Sequence, residues 1–174
     1  MASEAAGPGC SESDCRSHAN ESLEWTSSVK LKHVCVNVSD VDRSVRFYEE
    51  ALGFEKVSGG ELAGAAVEQT MLLPAGARGS YAFLAGGDSS TLVELVQWID
   101  IETDAPAVEP GSRGYLFLSF RTDPGEMAVL TGRIKGAGGS CRPIERAVVG
   151  SRTVNVMIAM DPDGNLIEFV SMEK

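Results

Sequence analysis

The sequence predicts an α+β fold, two βαβββ modules whose strands form a cupped mixed sheet with the helices on its outside. Three observations carry that expectation. An order of strand, helix and three further strands begins at Val29 and recurs beyond a Pro/Gly-containing linker, TDAPAVEPGSRG. Each copy holds one helix with an apolar stripe and several segments of strand period. Each copy is also too short to bury a core by itself, so the two should stack. The halves share few letters, so the repeat lies in the order of elements. Residues 1–28 read as a disordered tail rich in Ser, Glu, Ala and Gly. Residues 29–173 read as the folded domain: module one at about 29–100, a linker at about 101–112 and module two at about 113–173.

In module one, Val34, Val36 and Val38 alternate with His33, Cys35 and Asn37, so a strand here has one dry face and one chemical face. Ser39 and Asp40 are placed to cap a helix running to Leu52. Val41, Val45, Tyr48 and Leu52 share its apolar stripe with Phe47 and Ala51, and Gly53 supplies the stop. Strands are expected at 54–58, 80–84 and 91–98, with an irregular or short helical insertion around VEQTMLLPAGARG. Module two repeats the order with a strand at 115–120 and a helix beginning near Pro124 that carries Met127, Leu130 and Ile134 on one face. Glycines 136, 138 and 139 end that helix, and strands follow at 142–148, 153–160 and 166–172. Asp161, Asp163 and Gly164 in DPDGN read as the chemistry of a tight turn.

Composition narrows the function. At 174 residues, 43% hydrophobic and 23% charged, the chain has ordinary globular content. Fifteen basic residues against 25 acidic ones give a net charge of -10, which repels polyphosphate and argues against a nucleic-acid partner. No run approaches the roughly 18 apolar residues of a membrane span, and no basic segment with an apolar core opens the chain, so a cytoplasmic location is expected. Cys10, Cys15, Cys35 and Cys141 form no CxxC and read as free thiols. His18 belongs to the tail, which leaves His33 as the one histidine of the folded part.

His33, Glu94 in TLVELVQW and Glu168 in DPDGNLIEFV are candidate metal ligands on strands of matching character. If the carboxylates face inward, Leu92, Val96 and Trp98 join Glu94, and Leu166 and Val170 join Glu168. The 115–120 strand then turns Tyr115, Phe117, Ser119 and Arg121 inward. Tyr115, Phe117 and Trp98 make the cup aromatic, while Cys35, Asn37, Ser119 and Arg121 add polar substrate contacts. Two inward carboxylates need a compensating cation, either a metal or an arginine such as Arg121 or Arg152.

The segments HVCVNVSDVDRSVRFYEEALGF, ELVQW and DPDGNLIEFV, in this order, resemble the vicinal oxygen chelate superfamily, the glyoxalase, bleomycin-resistance and extradiol-dioxygenase fold. The resemblance spans about residues 30–173. It implies a divalent metal held by first- and fourth-strand residues of each module: His33 and Glu94 from module one and Glu168 from module two. It also implies that Glu168 acts as a general base. Many family members read G-x-x-H where this chain has Gly114-Tyr115-Leu116-Phe117, so Phe117 replaces a fourth ligand. Two-histidine iron chemistry is thereby disfavoured, and extradiol cleavage ranks low.

One imidazole with two carboxylates suits Mn²⁺, Mg²⁺, Fe²⁺, Co²⁺, Ni²⁺ or Zn²⁺ with open positions. The resemblance implies a metal-dependent lyase, isomerase or epimerase working on a small oxygenated metabolite through a stabilised enolate or oxyanion. The alternative is a metal-free small-molecule binding protein of the bleomycin-resistance type. A homodimer is expected, with modules paired within a chain or across subunits. The three donors should converge within roughly 5 Å.

Overall fold

A computed structural model describes residues 31–87, 91–99, 101 and 113–172. The expected tail and nearly all of the expected linker lie outside the described residues. Module one runs β1 His33–Asn37, α1 Val41–Leu52, β2 Glu55–Ala63, α2 Ala65–Thr70, β3 Arg78–Ala85 and β4 Leu92–Trp98. Module two runs β5 Leu118–Arg121, α3 Met127–Gly136, β6 Ser140–Cys141, β7 Glu145–Val149, β8 Arg152–Met160 and β9 Leu166–Met172. No described helix is long and apolar enough to cross a membrane.

The strands form two sheets within the chain, ordered β1-β4-β3-β2 and β5-β9-β8-β6, with β7 pairing β8. In each module the first strand lies parallel to the last and the others are antiparallel. The registers correspond: Cys35 opposes Glu94 in one module and Ser119 opposes Glu168 in the other. Helices α1 and α3 pack together between the modules, and one hydrophobic cluster runs from Val45 and Phe47 through Leu95 to Ile134, Met157 and Ile167. That shared core is what neither module supplies alone.

Helix α1 forms as its sequence dictates. Asp40 caps the Arg43 amide, and Gly53 adopts the left-handed conformation, φ 71°, that closes the last turn. Elsewhere the boundaries shift for identifiable reasons. Strand β5 starts at Leu118 rather than 115 because its partner β9 starts at Leu166, leaving the residues before Phe117 without a ladder. Tyr115 is consequently 96% exposed. Strand β2 continues past residue 58 to Ala63 because β3 offers an unbroken antiparallel partner over Gly59 and Gly60. The strand expected at 142–148 begins only at Glu145, as β7, and the two-residue β6 ends at Cys141, since Pro143 cannot donate to a ladder. Helix α3 begins at Met127, after a turn at 124–126.

The DPDGN turn does more than connect β8 to β9. Asp161 accepts the Asp163 and Asn165 amides, and Asp163 reaches module one. Its carboxylate accepts Ser39 Oγ at 2.6 Å, Arg43 Nη2 at 2.6 Å and Ser44 Oγ at 3.3 Å. Burial alone would raise the Asp163 carboxyl, but the Ser39 and Arg43 hydrogen bonds and the Arg43 charge outweigh it and hold it below 3.8. A depressed folded-state value stabilises the fold above the unfolded value and loses that contribution as pH falls through the folded one. Asp163→Asn is therefore expected to cost about 1–2 kcal/mol at pH 7. Urea unfolding at pH 7 and pH 3 checks it: the gap to wild type should narrow at the lower pH.

Candidate functional site

The face of module one turned away from the helices carries its chemistry. Val93 and Leu95 of β4 enter the core, which leaves Glu94, Val96 and Trp98 on the opposite face. The same parity puts His33, Cys35 and Asn37 of β1 on that face, with Tyr81 and Phe83 of β3. Glu94 is only 9% exposed, yet it is a carboxylate. Its Oε2 lies 3.2 Å from His33 Nε2. Phe83 meets the His33 ring edge-on at 5.3 Å and Tyr81 packs edge-on against Phe83, so the imidazole has an aromatic wall. His33 Nδ1 is buried and has no hydrogen-bond partner among the described residues.

Cys35 lies in register with Glu94 and hydrogen-bonds it. Desolvation, reinforced by the Glu94 charge and that hydrogen bond, pushes the Cys35 thiol up to about 11. It is a protonated donor at neutral pH rather than a nucleophile. At the far end, Trp98 Nε1 donates to Asn37 Oδ1 at 3.2 Å. The indole lies over Gly79, where a Cβ would come within 2.7 Å of Trp98 Cε3, so that glycine makes room for the ring.

Module two repeats the arrangement with different residues. Ile167 and Phe169 are buried in the core and Glu168 faces away from it. Ser119 takes the place that Cys35 has in module one, and its Oγ donates to Glu168 Oε2 at 2.6 Å. Counting back two residues, Phe117 corresponds to His33; counting on two, Arg121 corresponds to Asn37. Phe117 is 39% exposed and precedes β5.

The structure thus brings His33 to Glu94 and Ser119 to Glu168. The expected convergence of all three donors does not occur within one chain. Among the described residues no three His, Cys, Asp or Glu side chains gather in a way that would hold a metal. The arginine alternative is also not met, since among the described residues neither Arg121 nor Arg152 pairs with Glu94 or Glu168. The sequence reading missed Tyr81 and Phe83, although the period-two parity of their strand places both on the chemical face. The Ser119–Glu168 bond depends on register and had no local signal.

The two half-sites differ from a closed site in a way that the strand edges explain. Among the described residues β1 pairs only with β4 and β5 only with β9, so each has one edge without a strand partner there. Between those edges runs a cleft of about 1450 Å³, reaching Leu52, Phe54, Leu118 and Phe120 at the margin of the core.

The chain is 29% identical over 140 residues to a virulence protein of Salmonella typhimurium, covering 80% of this chain and 81% of that protein. It is 26% identical over 147 residues to a probable lactoylglutathione lyase of Vibrio parahaemolyticus, covering 83% and 91%. A solved glyoxalase family protein from Bacillus cereus superposes with a TM-score of 0.72 at 16% identity, over 87% of this chain and 99% of that one, and so shares the fold. The profile of the Glyoxalase/Bleomycin resistance protein/Dioxygenase superfamily matches residues 30–169. By that match, and with its paired βαβββ modules, the chain belongs to this superfamily.

Proposed function

We propose that this chain acts as a cytoplasmic homodimer, a metal-dependent lyase, isomerase or epimerase for a small oxygenated metabolite. Its site joins His33 and Glu94 of one subunit to Glu168 of the partner subunit. The single observation that carries this reading is the His33–Glu94 pair. A carboxylate 9% exposed, with an imidazole nitrogen 3.2 Å away, is costly without a cation. The pair also has the bite of two neighbouring ligands, which at bonds of about 2.1 Å and a right angle stand roughly 3 Å apart.

The edges of β1 and β5, which have no strand partner among the described residues, support the dimer. An isologous pairing that lays β1 of one copy beside β5 of the other uses both edges twice, covers the cleft and completes two sites. Mn²⁺, Mg²⁺, Fe²⁺, Co²⁺, Ni²⁺ or Zn²⁺ bound there would supply Lewis-acid polarisation of the substrate's oxygens. The residues do the rest. Glu168, oriented by Ser119 at 2.6 Å, accepts the proton from the carbon beside those oxygens and returns it. Cys35 holds Glu94 in place, and Phe83 walls one side of the His33 ring. Trp98, Asn37, Phe117 and the exposed Tyr115 shape the approach for a ligand with an apolar part.

The test mixes two inactive variants. His33→Ala and Glu168→Ala homodimers should each bind less than a tenth of the wild-type Mn²⁺. Heterodimers formed by unfolding and refolding the mixture should regain one site per dimer, because one of their two sites combines intact donors. A mixture that regains nothing while wild type binds fully overturns the shared site. Phe117 at the place of a fourth ligand favours a second reading, a metal-free binding protein. Under it, wild type itself takes up no Mn²⁺, Ni²⁺ or Zn²⁺.

A further inference from the structure

We infer that Arg121 is the anchor for a negatively charged head group of the substrate, which makes the ligand a small aliphatic oxyanion, a carboxylate or phosphonate bearing oxygens nearby. This rests on the metal-site reading above and adds the substrate's charge to it. Ser119 opposes Glu168 and Arg121 opposes Val170, so Arg121 lies on the same face as the carboxylate. Two residues of strand separate it from Ser119, roughly 7 Å at 3.3 Å per residue. A guanidinium there reaches a group a few bonds from an atom held at Glu168.

Arg121 is exposed, lines the cleft, and among the described residues makes no ion pair or side-chain hydrogen bond. The nearby carboxylate is already engaged, because Glu168 accepts from Ser119 at 2.6 Å. Arg152 is no substitute. It stands six positions along β8 from Ile158, the residue opposite Glu168, which puts it about 20 Å away.

The chemistry of the side chain gives the head group: a planar guanidinium binds a carboxylate or phosphonate through paired hydrogen bonds. Leu166, Val170, Val156 and Ile158 surround the position on the same face, so the body between the anion and the reacting oxygens is small and aliphatic.

The test follows the Arg121 Nε–H resonance during titration with lactate, methylphosphonate and uncharged propane-1,2-diol, first with chelator-treated protein. Wild type should show saturable shifts with at least one anion and none with the diol, and whichever anion binds more tightly names the head group. Arg121→Ala, followed through backbone resonances of β5 and β9, should weaken anion binding at least tenfold. Arg121→Lys should recover part of the loss, and Mn²⁺ uptake by both variants should equal that of wild type. Absence of saturable anion binding by wild type, or equal binding by Arg121→Ala, overturns the inference. If Mn²⁺ uptake fails while the anion still binds through Arg121, the metal reading falls instead.

Discussion

Glu94→Gln is expected to lower Mn²⁺ affinity roughly a hundredfold or more while changing the stability of the metal-free protein by no more than about 1 kcal/mol. The substitution keeps volume and hydrogen-bonding capacity but removes the charge. Loss of a partner that merely orients a ligand costs about 10–100-fold in affinity, so loss of a ligand costs at least as much. The stability arm separates a metal ligand from a structural ion pair. Glu94 is 9% exposed and its imidazole partner lies 3.2 Å away. If that pair existed to hold the fold, breaking it should cost about 3–5 kcal/mol. If it exists to hold a cation, the empty protein carries an inadequately compensated carboxylate, and the neutral amide is tolerated or even stabilising. Manganese titration followed by electron paramagnetic resonance, beside urea unfolding in chelator, reads both. A large stability loss with unchanged metal uptake would sink the ligand role.

Gly139→Ala is expected to destabilise the protein by about 2–3 kcal/mol, lowering the melting temperature by roughly 5–10 °C. Gly139 sits just after α3 where three elements meet. A Cβ there would lie 2.6 Å from the Met160 carbonyl oxygen, 2.6 Å from Phe47 Cε2 and 2.9 Å from Ile134 Cγ2. One of these is backbone, and Phe47 and Ile134 are 1% and 0% exposed, so none of the three has room to give. Phe47 belongs to α1 of module one, so the added methyl pushes against the contact that joins the modules. Gly136→Ala, where a Cβ meets nothing within 4 Å, is the control and should leave the melting temperature unchanged or slightly raised. Equal melting temperatures for the two variants would show that the α1–α3 junction yields without cost.

Much of the fold was legible because its determinants are local. The stripe of Val41, Val45 and Tyr48, the Asp40 cap and the Gly53 stop are short-range patterns, and α1 follows them. Parity along each strand likewise placed Glu94 and Glu168 away from the core. Strand ends were less legible, because a ladder stops where its partner stops. The start of β5 at Leu118 is set by Leu166, far along the chain, and the split of β6 from β7 by a single proline in an otherwise strand-like run.

The same division runs through the candidate site. The sequence by itself determined which candidate donors the described residues bring to the site, the His33 imidazole and the Glu94 and Glu168 carboxylates, with phenylalanine at Phe117 and an arginine at Arg121. It also determined that His33, Glu94, Glu168 and Arg121 lie on strand faces opposite the core, since period-two alternation is written in neighbouring residues, whereas Phe117 precedes its strand. Only the tertiary structure decided who meets whom. His33 reaches Glu94 because β1 lies parallel to β4 in one register, and Ser119 rather than Arg121 holds Glu168 because β5 lies beside β9 in the corresponding one. Glu168 and His33 stand on different sheets, because β9 pairs with β5 and β8 while β1 pairs with β4. Register and helix packing are fixed by the summed burial of a core drawn from both modules, and no local segment encodes that sum.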